Sequence, residues 1–144
     1  MKEDYRKAVR LADAAVRAEA DERHDAARDL IVRISNECGA EGLYLALLRW
    51  CDIFADHVYD GPWTGRVNMQ MLQVDSVTEG AHEAPSEAVW GGRLVAARAA
   101  HDGPAYDALI DEMPEVNGPY IAAVMKSTAL TLTMTPRGYG RRQP

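Results

Sequence analysis

Cysteine is scarce in this sequence of 144 residues, which contains only Cys38 and Cys51. Their separation of thirteen positions is not the short spacing of a structural zinc site, and a domain of this size needs no disulfide to be stable. We therefore expect two free thiols and predict a cytoplasmic protein. No run of about 18 apolar residues occurs either, so we expect no segment that spans a membrane.

Basic charge is scarce as well. Sixteen Lys and Arg residues stand against 22 Asp and Glu residues, which gives a formal net charge of −6. Acidic residues outnumber basic residues in both halves. Residues 1–60 contain nine Lys and Arg and thirteen Asp and Glu, and residues 61–144 contain seven and nine, respectively. Nucleic acid binding needs a concentrated basic surface, so the body of the domain is not predicted to bind nucleic acid.

Recognisable catalytic motifs are missing. The chain has no phosphate-binding loop, nucleophile elbow or dinucleotide fingerprint. Glu79 and His82 have the helical Glu-x-x-His spacing, but no second copy exists to complete a dinuclear metal site. The sequence therefore predicts no catalytic residue, no metal ligands and no cofactor, and it favours a non-catalytic protein over an enzyme.

Helical periodicity dominates the rest of the chain. Apolar residues recur every three or four positions in residues 4–20 and 21–36, which predicts two amphipathic helices. Residues 40–59 are apolar on most sides, which predicts a helix buried at the centre of the fold. Four residues form the thin polar stripe of that helix: Arg49, Asp52, Asp56 and Asp60.

Three further helices are predicted in the second half. They span about residues 85–101, 103–113 and 118–133. The first of them contains Gly91 and Gly92, so either it begins after these glycines or another backbone comes close to them. Residues 128–135 alternate like a strand, but a helix is favoured there because the corresponding segment of the first half is helical.

The two halves also resemble each other. When residues 94–110 are aligned with residues 15–31, several apolar residues coincide, and each segment leads to a glycine followed by a new apolar run. We therefore predict an all-α bundle of about six helices in a single domain, residues 1–136. This domain is predicted to contain two related three-helix units, residues 4–60 and 85–134.

Residues 61–84 break this pattern and are predicted to be an irregular linker. Glycine and proline mark turns at its start, and from its middle onward it carries acidic residues without Lys or Arg. Residues 67–74 alternate imperfectly, which predicts either a short strand or a short helix. Pro136 ends the last helix, and residues 137–144 are predicted to be a flexible basic tail.

The first helical pair resembles the tetratricopeptide hairpin. Ala15 and Ala27 stand at the small positions where the two helices of such a hairpin pack together, and Trp90 matches the leading aromatic residue in the second half. The large apolar positions are occupied by Leu11, Ile31 and Ile34. The resemblance implies stacked helical hairpins and a groove that binds a partner.

Binding candidates cluster after the central helix. Trp63 lies on a turn between glycines, Tyr59 precedes it and Arg66 follows it. Loops carry binding residues more often than regular elements do, and Trp, Tyr and Arg are enriched in binding hot spots. We predict that these three residues contact a partner; the alternative is that Trp63 folds back over the helical core.

The basic tail supplies a second group of binding candidates. They are Arg137, Tyr139, Arg141 and Arg142. These residues are predicted to contact nucleic acid or an acidic partner, such as the acidic linker of another subunit. The alternative is a tail that only aids solubility.

Together, these patterns favour a non-catalytic helical protein that binds another protein or a second copy of itself. One alternative is a nucleic acid accessory protein that uses the basic tail. Another is a small ligand-binding or enzymatic bundle with a site near Asp52, Asp56 and His57. Two carboxylates one helical turn apart can perform acid–base chemistry when one of them is desolvated.

Replacing Trp63 and Arg66 together by alanine tests the loop assignment. We expect partner capture to fall by about tenfold or more, because hot-spot side chains contribute about 2 kcal/mol or more each. Thermal unfolding is expected to stay unchanged, since both residues lie outside the predicted helices. Pull-down with the wild-type and variant proteins measures the difference. Capture of every partner at full strength by the variant contradicts the assignment.

Overall fold

A computed structural model of the chain describes residues 2–60, 86–114 and 117–139. Of these residues, 87% are helical and none lies in a strand, which confirms the predicted all-α class. The helices are α1 (Lys2–Ala20), α2 (His24–Tyr59), α3 (Ser86–Ala99), α4 (Gly103–Glu112) and α5 (Gly118–Met134). None of these five helices combines the length and the apolar character that crossing a bilayer requires.

The sequence predicts about six helices, one more than the five found among the described residues. The difference arises at Gly39, whose non-helical backbone separates two helical segments that are counted together here as α2. Gly39 has φ 70° and ψ −166°, a backbone conformation that glycine adopts at little steric cost. We refer to residues 24–38 as the first arm of α2 and to residues 40–59 as its second arm.

Close packing surrounds this kink. A side chain at Gly42 would place its Cβ on top of the Cβ of Cys38, so only glycine fits there. At the end of the first arm, Lys7 of α1 forms an ion pair with Glu37, which also accepts a hydrogen bond from Arg33 at 2.8 Å. These cations lower the pKa of the Glu37 carboxyl to about 2. The end of the first arm is thereby attached to α1.

The second arm of α2 occupies the centre of the fold, as its apolar sequence predicts. Helices α1, α3 and α5 all pack against α2. The buried residues of the second arm are Gly42, Ala46, Leu47, Trp50, Cys51, Phe54, Val58 and Tyr59. Burying a large apolar side chain contributes about 1.5–3 kcal/mol, so this arm provides much of the favourable free energy of folding.

Trp50 connects three helices inside this core. Its ring is fully buried, and its indole Nε1 donates a hydrogen bond to the carbonyl oxygen of Ala12 in α1 at 2.9 Å. The hydroxyl of Thr128 in α5 lies 3.3 Å from the carbonyl oxygen of Trp50 and 2.9 Å from that of Val124. The same residue therefore sets the positions of α1 and α5 along α2.

Trp90 connects the three helices of the second half in a similar way. Its indole Nε1 donates a hydrogen bond to the carbonyl oxygen of Leu109 in α4 at 2.7 Å. Its ring meets the ring of Tyr120 in α5 edge to face, with centroids 5.4 Å apart. Trp90 itself is 6% exposed and sits in α3, so one large ring joins α3, α4 and α5.

Helix α3 runs through both of its glycines. A Cβ added at Gly91 would lie 3.5 Å from Cγ2 of Val124 and 3.7 Å from its backbone nitrogen, so the backbones of α3 and α5 come close there. A Cβ added at Gly92 would meet nothing within 4 Å. Of the two alternatives left open by the sequence, the close approach of another backbone is the one found, and it involves Gly91 alone.

Residues 128–134 are helical despite their alternating sequence. The threonine hydroxyls donate hydrogen bonds back to carbonyl oxygens of the preceding turn, at 2.8 Å from Thr131 to Ser127 and 3.0 Å from Thr133 to Leu130. These bonds satisfy the polar groups within the helix. The linker over residues 61–84, including its segment 67–74, lies outside the described residues, and the division into two related units stays a prediction.

Substituting the two glycines of α3 separately tests this packing. We expect Gly92→Ala to raise the free energy of unfolding by about 0.5–1 kcal/mol, because alanine loses less backbone entropy in a helix and the position is open. Gly91→Ala is expected to gain at least as much, because its methyl group would be buried at ordinary van der Waals distance from Val124. Urea denaturation of both variants measures the difference. A loss of stability in Gly91→Ala would contradict this packing, because it would mean that a methyl group does not fit against Val124.

Candidate functional site

The structure describes only some of the predicted binding residues. Trp63, Arg66, Arg141 and Arg142 lie outside the described residues, so their assignments stay predictions. Tyr59 is 2% exposed and belongs to the hydrophobic core at the end of α2. Its ring packs within the fold, and its assignment as a binding residue stays a prediction.

The start of the predicted tail is attached to the end of α2. The amide of Gly138 donates a hydrogen bond to the carbonyl oxygen of His57 at 2.8 Å. Arg137 donates to Asp56 at 2.9 Å and to Asp60 at 2.5 Å. The guanidinium of Arg137 is therefore already engaged by two carboxylates, while Tyr139 is half-buried.

The polar stripe of α2 connects this helix to its neighbours. Arg49 donates to both carboxylate oxygens of Asp13 in α1, at 2.7 and 3.3 Å. Asp52 accepts from Arg98 in α3 at 2.9 and 3.3 Å, and this hydrogen bond raises the pKa of the Arg98 guanidinium. Together with the pairs of Arg137, these contacts attach α2 to α1, α3 and the residues that follow α5.

These pairings bear on the predicted alternative site near Asp52, Asp56 and His57. The Asp52 and Asp56 side chains are 48% and 56% exposed, and each is paired with an arginine. Nε2 of His57 lies 2.8 Å from the carbonyl oxygen of Thr135, so it acts as a donor to the backbone. The two carboxylates lack the desolvation that acid–base catalysis requires.

The thiols and histidines form no metal centre in the part of the chain that the structure describes. No three His, Cys, Asp or Glu side chains come together there as a metal site would require. Cys38 and Cys51 are both free thiols, and Cys51 is fully buried. Burial raises the pKa of the Cys51 thiol, which keeps it protonated and unreactive at neutral pH.

Two apolar side chains of α5 remain exposed in the folded chain. Leu130 is 54% exposed and Met134, one turn later, is 68% exposed. Both line a cleft of about 560 Å³ between α5 and the turn that joins α1 to α2. One wall of this cleft is therefore apolar and open to solvent.

A second cleft, of about 350 Å³, lies between the N-terminal half of α5 and the first arm of α2. Its apolar lining residues are Ile31, Val32, Pro119, Ala122 and Met125. Val32 is 50% exposed. Because Glu19, His24 and Lys126 line both clefts, the two adjoin, and we refer to them together as the α5 groove.

Glu19 lies where the two clefts of the α5 groove meet. Its side chain is 10% exposed, and its Oε2 atom lies 2.6 Å from Nδ1 of His24. Its Oε1 atom is buried and has no hydrogen-bond partner among the described residues. Buried acceptors without a donor cost free energy, so a donor group brought by a ligand would be stabilised near this carboxylate.

The rim of the α5 groove is acidic. Its charged residues are the carboxylates Glu19, Asp21, Glu22 and Asp25 and the cations Arg28 and Lys126. Four carboxylates against two cations give a net charge of −2 when His24 is neutral. Arg28 is paired with Asp25 at 2.8 Å, which leaves Lys126 as the only rim cation without a described ion pair.

Searches of protein-family models, curated proteins and solved structures found no match to this chain. The resemblance of the first helical pair to tetratricopeptide hairpins therefore stays a prediction.

Proposed function

We propose that the protein is a non-catalytic interaction module whose α5 groove binds a basic amphipathic helix of a partner protein. The observation that carries this proposal is the pair of exposed apolar side chains, Leu130 and Met134, beside an acidic rim. Protein binding is also the function that the sequence favours, but the α5 groove is a different surface from the loop around Trp63 and from the basic tail.

The shape of the groove supports a helical occupant. Single exposed apolar residues are common on protein surfaces, but Leu130, Met134 and Val32 all line concave clefts. An amphipathic helix inserts apolar side chains spaced three, four or seven residues apart into such a groove. The flexible thioether side chain of Met134 can adapt to different apolar partners.

The charge of the rim supports a basic occupant. Four carboxylates against two cations attract Lys and Arg side chains, and complementary charge raises association rates and disfavours acidic partners. The Oε1 atom of Glu19 is a buried acceptor without a described donor. A cationic side chain placed near it would donate a hydrogen bond to it. An apolar helix without basic residues would leave this charge uncompensated.

The two alternatives have less support. Asp52 and Asp56 are paired with arginines and about half exposed, so a catalytic site there lacks a desolvated carboxylate. Arg137, one of the basic residues proposed to contact nucleic acid, is held by Asp56 and Asp60. A role in nucleic acid binding would now depend on Arg141 and Arg142.

Designed peptides test the proposal directly. A labelled amphipathic helix of leucine and lysine, about 15 residues or four turns long, is titrated with the full chain and followed by fluorescence anisotropy. We expect it to bind, and we expect a peptide with glutamate in place of lysine to bind at least about tenfold more weakly, because like charges at an interface cost several kcal/mol.

Variants locate the binding site. The double variant Leu130→Ser with Met134→Ser removes the exposed apolar pair and is expected to lower the affinity for the basic peptide by at least about tenfold. Tyr44→Ser with Val89→Ser is the matched control, since these residues are 43% and 37% exposed and do not line the groove. Equal binding of both peptides, or an equal loss in the control, would refute the proposal.

A further inference from the structure

A third cleft carries the opposite charge to the α5 groove. It has a volume of about 490 Å³ and lies between the start of α1 and the second arm of α2, beside α3. Its charged lining residues are Arg6, Arg10, Arg49, Arg98 and Asp52. We infer that this arginine cleft binds a small organic anion, a phosphate or carboxylate group attached to an apolar or aromatic body.

Arg6 and Arg10 supply two guanidinium groups that have no ion pair with the described residues. They lie one helical turn apart on α1, and both are exposed. Neither has an ion pair or side-chain hydrogen bond to any residue that the structure describes. Two free arginines on the same side of a helix can hold one anionic group between them, because each planar guanidinium matches the geometry of a phosphate or carboxylate.

Arg49 and Arg98 supply donors that are already oriented. Each gives two N–H groups to a carboxylate, that of Asp13 or Asp52 respectively. A guanidinium has five N–H donors, so three remain on each residue. The carboxylates fix the two planes before a ligand arrives, which lowers the entropy cost of binding. Their side chains are 43% and 41% exposed, so the remaining donors are accessible to a ligand.

The local charge of the cleft is opposite in sign to the net charge of the chain. Four arginines against Asp13 and Asp52 leave a local charge of +2, in a protein of net charge −6. The excess is small and confined to one cleft, which favours a single compact anionic group over a long polyanion.

The uncharged lining determines the rest of the ligand. Val9, Leu45 and Leu48 are half-buried and form an apolar part of the lining, and the ring of Tyr5 is 54% exposed beside them. The volume falls within the range of about 300–1,000 Å³ that small-molecule sites occupy. An anion with an apolar or aromatic body would therefore use the arginines and the apolar lining together. This inference does not depend on the function of the α5 groove.

Four probe molecules test the chemistry of the arginine cleft. The full chain is titrated with 1-naphthyl phosphate, 1-naphthoate, neutral 1-naphthol and inorganic phosphate, with calorimetric detection at low salt. We expect both naphthyl anions to bind, with the tighter one identifying the preferred anionic group, and their affinity to fall as salt is added. Naphthol and inorganic phosphate are expected to bind at least about tenfold more weakly, because each lacks one part of the recognised structure.

Paired variants place the ligand in the cleft. Arg6→Gln with Arg10→Gln is expected to lower the affinity for 1-naphthyl phosphate by at least about tenfold, because hydrogen bonds to charged groups are lost. Arg17→Gln with Arg93→Gln removes the same charge from exposed arginines outside the cleft and is expected to stay within about twofold of wild type. Thermal melts check that both variants fold, and Arg10→Gln alone provides a milder second variant.

Three outcomes would overturn the inference. Naphthol binding as tightly as the anions would show that charge is not recognised. An equal loss of affinity in the Arg17 and Arg93 control would show that only net charge matters. An oligo-glutamate peptide that binds more tightly than 1-naphthyl phosphate and depends on Arg6 and Arg10 would assign the cleft to an acidic protein segment. Unchanged binding in the Leu130 and Met134 variant separates this site from the α5 groove.

Discussion

The buried indole of Trp50 is the contact on which the other features of the structure depend. Its N–H group donates to the carbonyl oxygen of Ala12, while the hydroxyl of Thr128 approaches its backbone oxygen. A buried donor that loses its acceptor costs about 1–3 kcal/mol, so α1 cannot slide along α2 without a penalty. Both proposed sites depend on this arrangement, because the α5 groove lies between α5 and the α1–α2 turn and the arginine cleft lies between α1 and α2.

The polar stripe of α2 complements this core. Arg49, Asp52, Asp56 and Asp60 all face arginine or aspartate partners on other parts of the chain. Exposed ion pairs contribute only about 0–1 kcal/mol each, so their main effect is on how the helices are oriented. In the arginine cleft the same pairs orient Arg49 and Arg98. Asp52 and Asp56, whose spacing in the sequence suggests an acid–base site, therefore connect α2 to other parts of the chain.

Apolar periodicity was sufficient to predict the helices and the buried second arm of α2. The break predicted between residues 36 and 40 lies at Gly39, whose non-helical φ and ψ separate the two arms of α2. Helix α5 is apolar on most sides, and the side that stays exposed depends on how the other helices pack around it. The sequence alone therefore could not single out Leu130 and Met134 as exposed residues. Arg6 and Arg98 are far apart along the chain, and only the packing of α1 and α3 against α2 brings them to one cleft.

Hydrogen exchange at the indole nitrogen of Trp50 tests the central position of this residue most directly. Its N–H signal can be assigned by comparison with the Trp50→Phe variant and followed by NMR after transfer to deuterated buffer. If Trp50 holds α1, α2 and α5 together, its N–H will exchange only through global unfolding, with the free energy obtained from urea denaturation. Exchange within minutes, in a chain whose core amides remain protected, would contradict that role.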